Sequence, residues 1–303
     1  MIDWLIQSTG DHPDLARGVA PAGLLNANEQ IRLALLKTEK RRRDWLLGRW
    51  TAKRLLQSYV EQRTGVRPPL DALVVENDPD GAPRVIVDCR LQIADYGPNL
   101  QSTIYNLQSL SLSISHCDDH AFCALSDRQS VRVGADIERI EPRARQFAED
   151  YFTAAELEHV RAAPPDDRDT IVTLIWSAKE AALKALHLGL TVDTRSVAIG
   201  LEPTSRFGAS WMPLAVSGAL NLVGAPAGRR HQTLPNAGGA AGARPSAASN
   251  PAASAPLVGA AGSPPQLLLN GWWRVMDAYV LTLVALRNEH RRSAGARRDA
   301  LSY

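Results

Sequence analysis

Two carboxylates stand one residue apart in Gly134-Ala135-Asp136-Ile137-Glu138, at the end of a run from Val131 to Ile137 whose β-branched residues predict a strand. Side chains on a strand alternate, so Val131, Val133, Ala135 and Ile137 face one side while Asp136 and Glu138 share the other, roughly 7 Å apart by strand rise. Like charges on one face repel. A divalent cation removes that repulsion by using both oxygens, and Mg²⁺ is commonly held by one or two carboxylates together with water and substrate phosphates. An isolated Asp-x-Glu is more often a solvated strand end, so the pair acquires meaning only from its neighbours. One neighbour is the helical stretch Trp176 to Lys184, where i, i+4 spacing places Glu180 and Lys184 on one face. Alone this is an ordinary surface ion pair. Joined to Asp136 and Glu138, a third acid and a cation make a set suited to phosphoryl transfer: the acids hold a metal, the metal grips phosphate oxygens, and the lysine stabilises developing charge. Ser115-His116 adds a hydroxyl and an imidazole at the end of the strand-like run Leu112 to Ser115, both able to donate hydrogen bonds to phosphate oxygens. A basic stretch, Lys37, Lys40, Arg41, Arg42, Arg43, Arg49, Lys53 and Arg54 against Glu39 and Asp44, is either a solvated face or a surface for a phosphate-bearing cofactor or an acidic partner.

The elements that must position these groups follow from the patterning. The chain has 303 residues, ample for about two domains and a core that needs no disulfide or metal staple. With 34 Lys+Arg against 32 Asp+Glu the net charge is +2, which speaks against a nucleic-acid coat, and three cysteines without a CxxC pair fit reduced thiols. No stretch reaches about 18 uninterrupted apolar residues and the start lacks a secretory pattern, so a soluble, cytoplasmic protein with no membrane contact is expected. Helical periodicity predicts two helical regions. One runs from about Asn28 to Glu61 with a break near Lys40; the other consists of Ala154 to Arg161 and Asp169 to Leu188, parted by Pro164-Pro165, which forbids a continuous helix. Strand-like runs lie at 73–75, 85–87, 112–115, 122–125 and 131–137, and 271–286 reads as one or two more. From Gly224 to Pro265 the composition changes to 13 Ala, 7 Gly, 7 Pro and 4 Ser with no acid, a low-complexity insert expected to be disordered. The expected division is an α+β half over 1–118, a second over 119–223 with 266–286, the insert 224–265, and a basic tail 287–303. A weak internal echo supports two halves: the stretch Leu47 to Leu56 resembles Ile175 to Leu183 in its small-Ala-Lys-charged-Leu order.

Read in order, the motifs resemble the 4'-phosphopantetheinyl transferase superfamily, in its larger, surfactin-synthetase-activating (Sfp-like) type. They are Ser115-His116, Gly134-Ala135-Asp136-Ile137-Glu138, Phe152-Thr153-Ala154-Ala155-Glu156 and Trp176-Ser177-Ala178-Lys179-Glu180-Ala181-Ala182-Leu183-Lys184, and they span roughly residues 40 to 190. The resemblance implies a pseudodimer of two similar α+β halves with the active site in the cleft between them. It also implies transfer of the phosphopantetheine arm from coenzyme A to a serine of an apo acyl or peptidyl carrier protein, releasing 3',5'-ADP. In that reading Asp136, Glu138 and Glu180 hold Mg²⁺, with Mn²⁺ an alternative, Glu180 is the base for the carrier serine, directly or through a metal-bound water, and Asp136, Glu180 and Lys184 are the catalytic residues. Coenzyme A is expected on Arg43, Arg49, Lys53, Arg84, Ser115, His116, Lys179 and Lys184. Where the family carries a cation in a Gly-Lys-Pro or Gly-Arg-Pro turn, this chain has Gly81-Ala82-Pro83-Arg84, so Arg84 is the substitute. A monomer that serves carriers and binds no nucleic acid completes the expectation.

Two other readings use the same residues. A metal-dependent phosphodiester nuclease or phosphohydrolase also needs Asp-x-Glu with a further Glu and Lys, and a silent carrier-binding scaffold would keep the surface without the chemistry. The sequence leaves open which carrier, and hence which fatty-acid, polyketide or nonribosomal-peptide pathway, is served.

Overall fold

The computed structural model describes residues 2–87, 107–127, 131–189, 192–202, 207–218 and 267–288. The insert 224–265 and most of the tail expected at 287–303 lie outside the described residues. Ten strands and six helices are described: β1 (Asp3–Ser8), α1 (Pro13–Ala16), α2 (Ala27–Ala34), α3 (Glu39–Thr64), β2 (Leu73–Asn77), β3 (Pro83–Val87), β4 (Leu110–Cys117), β5 (His120–Asp127), β6 (Val131–Arg139), α4 (Arg145–Tyr151), α5 (Ala154–Ala162), α6 (Arg168–Leu186), β7 (Val197–Gly200), β8 (Met212–Gly218), β9 (Leu267–Met276) and β10 (Tyr279–Asn288). This is the α+β class. The break expected near Lys40 falls between α2 and α3, and the one at Pro164-Pro165 falls between α5 and α6.

Both long helices have defined ends. Thr38 caps α3 through its side chain, and Gly65 ends it in the left-handed conformation at φ 73°. His187 closes α6 the same way at φ 58°. Their inner faces are rich in small residues, Ala52 in α3 and Ala178, Ala181, Ala182 and Ala185 in α6, all buried, so each helix lies close on its strands.

The described strands form three hydrogen-bonded sheets. In the first, β1-β5-β4 are hydrogen-bonded antiparallel, and the third, the β2–β3 ribbon, flanks β4. In the second the order is β6-β10-β9-β8-β7. Helix α3 packs on the first sheet and α6 on the second. The sheets meet where β4 runs beside β6, and the serines that alternate along β4 stitch them: Ser111 Oγ accepts from Val133 N at 3.0 Å and Ser113 Oγ from Ala135 N at 2.9 Å. Ser115 is the next in that row.

Two expected boundaries need correction. The division at 118/119 falls in the turn of the β4–β5 hairpin, and β5 pairs with β1 and β4, so the first sheet extends to Asp127. Arg287 and Asn288 belong to β10, not to a tail, since Arg287 pairs with Val131 and Asn288 with Leu267.

Candidate metal and phosphate site

The period-two argument places Asp136 and Glu138 on one face of β6, and the second sheet turns that face toward α6. Approach of helix and strand depends on Gly134. A Cβ there would stand 1.8 Å from the carbonyl oxygen of Ala181 and 2.7 Å from the nitrogen of Ala185, so only glycine lets α6 lie this close. Glu180 and Lys184 are thereby brought to the strand. Carboxylate oxygens of Asp136, Glu138 and Glu180 lie within 4.8 Å of one another. Lys184 Nζ donates to Asp136 Oδ1 at 2.6 Å, to Ser115 Oγ at 3.1 Å and to the Ala135 carbonyl at 3.2 Å, and stands 3.8 Å from Glu180. Ser115 Oγ itself donates to Asp136 Oδ1 at 2.7 Å.

These contacts leave the site short of positive charge. Asp136 Oδ2 is buried and has no hydrogen-bond partner. Burial first, and then the neighbouring Asp136, push the Glu180 carboxyl up to about 8, with Lys184 opposing. Glu138 is also raised, by burial and by Asp136, against the pull of Arg143. Burial alone would lower the Lys184 ammonium, but Asp136 and Glu180 hold it above its ordinary range, so it remains charged. Three crowded acids, one with an orphaned buried oxygen, fit a divalent cation with oxygen preference.

A titration consequence follows. Without metal, ionised Glu180 opposes folding, because its folded pKa lies above the ordinary value of 4.5. Stability is therefore lost as pH rises from about 4.5 through 8. In metal-free buffer Glu180→Gln should raise the thermal midpoint over the parent, with little gain near pH 5 and the largest gain near pH 8 to 9. Scanning fluorimetry across that range in EDTA measures it; a gain that does not grow with pH would show that Glu180 is not buried among acids.

Gly134→Ala should cost at least about 1–3 kcal/mol, the range for forcing volume into a packed core. The helix must retreat from β6, separating Glu180 from Asp136, so metal affinity should fall as well. Urea denaturation and Mg²⁺ calorimetry check both, and parental values in each would contradict the close packing.

The coenzyme A expectations divide. Ser115 and Lys184 join the acids. His116, its neighbour on β4, points the other way and is exposed in a second cleft of 600 Å³, lined by Lys40, Arg41, Gly48, Arg49 and Asn77 among others. Arg49 is buried, donates to Asn77 Oδ1 at 2.7 Å and packs over Trp45. Arg43 lines a separate cleft with Asp118 and Asp119. Arg84 is engaged by Glu76 and Asp78, each at 3.3 Å.

Lys53 and Lys179 are corrected outright. Both are fully buried. Lys53 pairs with Glu29 at 2.5 Å and donates to the Leu24 carbonyl; Lys179 pairs with Glu156 at 2.9 Å and donates to the carbonyls of Thr194 and Val197. Both ammonium groups are consumed by these buried partners: Lys53 ties α3 to α2 and, through Glu29, to β2, and Lys179 ties α6 to β7.

Arg143 is the residue that the spacing did not reveal. It donates to Glu138 Oε2 at 2.7 Å and lies over Phe147, fixing one of the three acids from the loop after β6.

Comparison with known proteins agrees with the motifs. Residues 132–231 match the model of the 4'-phosphopantetheinyl transferase superfamily. The 4'-phosphopantetheinyl transferase Sfp of Bacillus subtilis (strain 168) is 27% identical over 115 residues, 38% of this chain and 49% of that protein. The 4'-phosphopantetheinyl transferase HetI of Nostoc sp. is 30% identical over 97 residues, 31% of this chain and 40% of that protein. The matched region thus spans half or less of each relative. Among solved structures, the ACPS–CoA complex of Chronobacterium ammoniagenes aligns at 20% identity and a TM-score of 0.31, covering 42% of this chain and 96% of that one. The resemblance read from the motifs is borne out, and the nuclease alternative finds no support in these comparisons. No helix among the described residues is long and apolar enough to cross a membrane.

Proposed function

We propose that this protein transfers the 4'-phosphopantetheine group of coenzyme A to a serine of an acyl or peptidyl carrier protein, with Mg²⁺, releasing 3',5'-ADP. The observation that carries the reading is the convergence of Asp136, Glu138 and Glu180 beside Lys184 and Ser115. The proposed frame is a pseudodimer of two α+β halves with the reaction in the cleft between them. Its support is the matching of β1-β5-β4 with β6-β10-β9, and a shared device: in each half a capping-box acid, Glu29 or Glu156, pairs with a buried helix lysine and accepts the N–H of a strand residue, Val75 or Ile199.

Asp136, Glu138 and Glu180 are the residues that would hold the metal. When bound, Mg²⁺ supplies positive charge to the pyrophosphate oxygens. Lys184, kept protonated and aimed by Asp136, adds a fixed cation on the same side, and Ser115 offers a hydroxyl there. Arg49 and His116 make the second cleft a place for the nucleotide end. In the reaction the carrier serine oxygen forms a bond to the pantetheine-bearing phosphorus, the bond from that phosphorus to the bridging oxygen breaks, and 3',5'-ADP leaves with the electron pair. Glu180 is the acceptor for the serine proton. A cation held among the three acids would offset the crowding that raises Glu180 and keep its carboxylate ionised, as a proton acceptor must be.

The test is direct: incubate the protein with coenzyme A, Mg²⁺ and a panel of apo carriers, and weigh the carriers. A gain of one phosphopantetheine mass on a serine is expected. Unmodified carriers throughout would overturn the reading, and carrier binding that is indifferent to Mg²⁺ and to Glu180→Gln would favour the scaffold.

A further inference from the structure

The correspondence between the halves can be followed residue by residue. Hairpins β4–β5 and β9–β10 turn at Asp118 and Asp277, which share a left-handed φ of 53° and 52°. Counted from these turns, Cys123 and Thr282 hold the same place. The residue opposite Cys123 is Leu5 on β1; the residue opposite Thr282 is Asp136 on β6. By the same count Gln7, opposite Ala121, stands for Glu138, opposite Val280. On the helices the buried Lys53 and Lys179 align, so Arg54 stands for Glu180 and Ser58 for Lys184.

The four first-half counterparts are not scattered. Leu5, Gln7, Arg54 and Ser58 line one cleft of 450 Å³ between β1 and α3. It occupies the place of the metal and phosphate site, with inverted chemistry: three carboxylates are replaced by a leucine, an amide and a guanidinium. No carboxylate stands at these four positions to hold a divalent cation. The acids on the rim, Asp3 and Glu61, are neutralised by Arg63 at 3.8 Å and Arg67 at 3.7 Å. Arg54 is different. Among the described residues it has no carboxylate within salt-bridge distance; it donates to Gln57 Oε1 at 3.1 Å and lies over Trp50. Gln7 Oε1 is buried without a partner and, as an acceptor, gives an anion nothing; the amide nitrogen is the donor that Gln7 can offer.

We propose that this cleft is a second, metal-independent site for a small phosphate-bearing anion. Where the acids of the second half need a cation between themselves and a phosphate, a guanidinium binds the phosphate directly and in a bidentate manner. Ser58 adds a hydroxyl donor, and the amide nitrogen of Gln7 would be a second. The proposal rests on the correspondence of the halves and not on the transfer reaction.

Calorimetry with inorganic pyrophosphate, on the full chain in excess EDTA, tests it. Binding is expected to persist without metal and to weaken roughly tenfold or more in Arg54→Glu, the loss expected for reversing a charge-assisted contact. Ser58→Asp, at an exposed position that tolerates substitution, should weaken binding in the same sense, while Arg49→Ala in the other cleft should leave this component unchanged. Repeating the titration with adenosine 3',5'-bisphosphate separates the sources: an Arg54-dependent gain over pyrophosphate identifies a nucleotide, and equal affinity identifies phosphate alone. An isotherm unaltered in both Arg54→Glu and Ser58→Asp, or binding that appears only with Mg²⁺ and is lost in Glu180→Gln, overturns the proposal. Assaying carrier modification by Arg54→Glu in parallel keeps the two readings apart, because that variant is expected to lose the EDTA-resistant site and keep the parental rate.

Discussion

Asp136→Asn will cut carrier modification by at least about 10²–10³-fold, the scale for removing one preorganised electrostatic group, and will leave the protein folded. The asymmetry of the Asp136 carboxylate explains both halves of that result. Oδ1 receives Ser115 Oγ at 2.7 Å and Lys184 Nζ at 2.6 Å, whereas Oδ2 is buried with no partner. Asparagine keeps an oxygen for the first two donors and puts an amide nitrogen where Oδ2 stood, so the packing survives and the oxygen best placed for a cation is lost. Removing this negative charge also relieves the crowding that raises Glu180, so the remaining acids have less need of a metal. Carrier mass spectrometry, Mg²⁺ calorimetry and a thermal melt together check the claim: product and metal heat should both disappear while the midpoint moves by only a few degrees. Near-parental turnover with unchanged metal heat would place the cation elsewhere.

How much of this could be read from the sequence depends on the range of the interaction that decides each feature. Asp136 and Glu138 share a face by strand alternation, Glu180 and Lys184 by helical spacing, and Pro164-Pro165 breaks the helix; all are local rules and all hold in the fold. The same alternation separates Ser115 from His116, since consecutive strand residues face opposite sides, so treating them as one phosphate pair overlooked a rule already in use. Strands β1, β7 and β8 were not anticipated. Each is short or mixed in polarity, Asp3–Ser8, Val197–Gly200 and Met212–Gly218, and is a strand because of its distant partners. Arg143 reaches Glu138 only through the path of the loop after β6, which no periodicity encodes. Lysine is usually a surface residue, and that prior misdirected Lys53 and Lys179 toward a ligand. Their signal lay elsewhere, in the capping boxes Asn26-x-x-Glu29 and Thr153-x-x-Glu156, whose acids do more than cap.

The buried pairs lead to the largest expected effect on stability: Lys179→Ala should cost about 3–5 kcal/mol, against a total of about 5–15 kcal/mol for a typical domain. Lys179 and Glu156 are both fully buried, 2.9 Å apart. Burial pulls the Lys179 ammonium below its ordinary pKa, with Glu156 opposing. Truncating the lysine strands a carboxylate in the core and leaves the carbonyls of Thr194 and Val197 without their donor. Glu156 must still accept the N–H groups of Thr153 and Ile199, so replacing it with an apolar residue would open a second fault. Lys179→Met with Glu156→Gln removes both charges and keeps an acceptor for those amides, and should recover a substantial part of the loss. Denaturant unfolding of the single and double variants gives the numbers. The result also separates two roles for Lys179. A coenzyme A ligand would raise KM at parental stability, whereas a helix-to-strand tie lowers stability and leaves KM unchanged in whatever fraction remains folded. Lys53→Ala should repeat the pattern in the first half, where Glu29 would be stranded beneath Val75. A raised KM with parental unfolding in either variant would return that lysine to the ligand site.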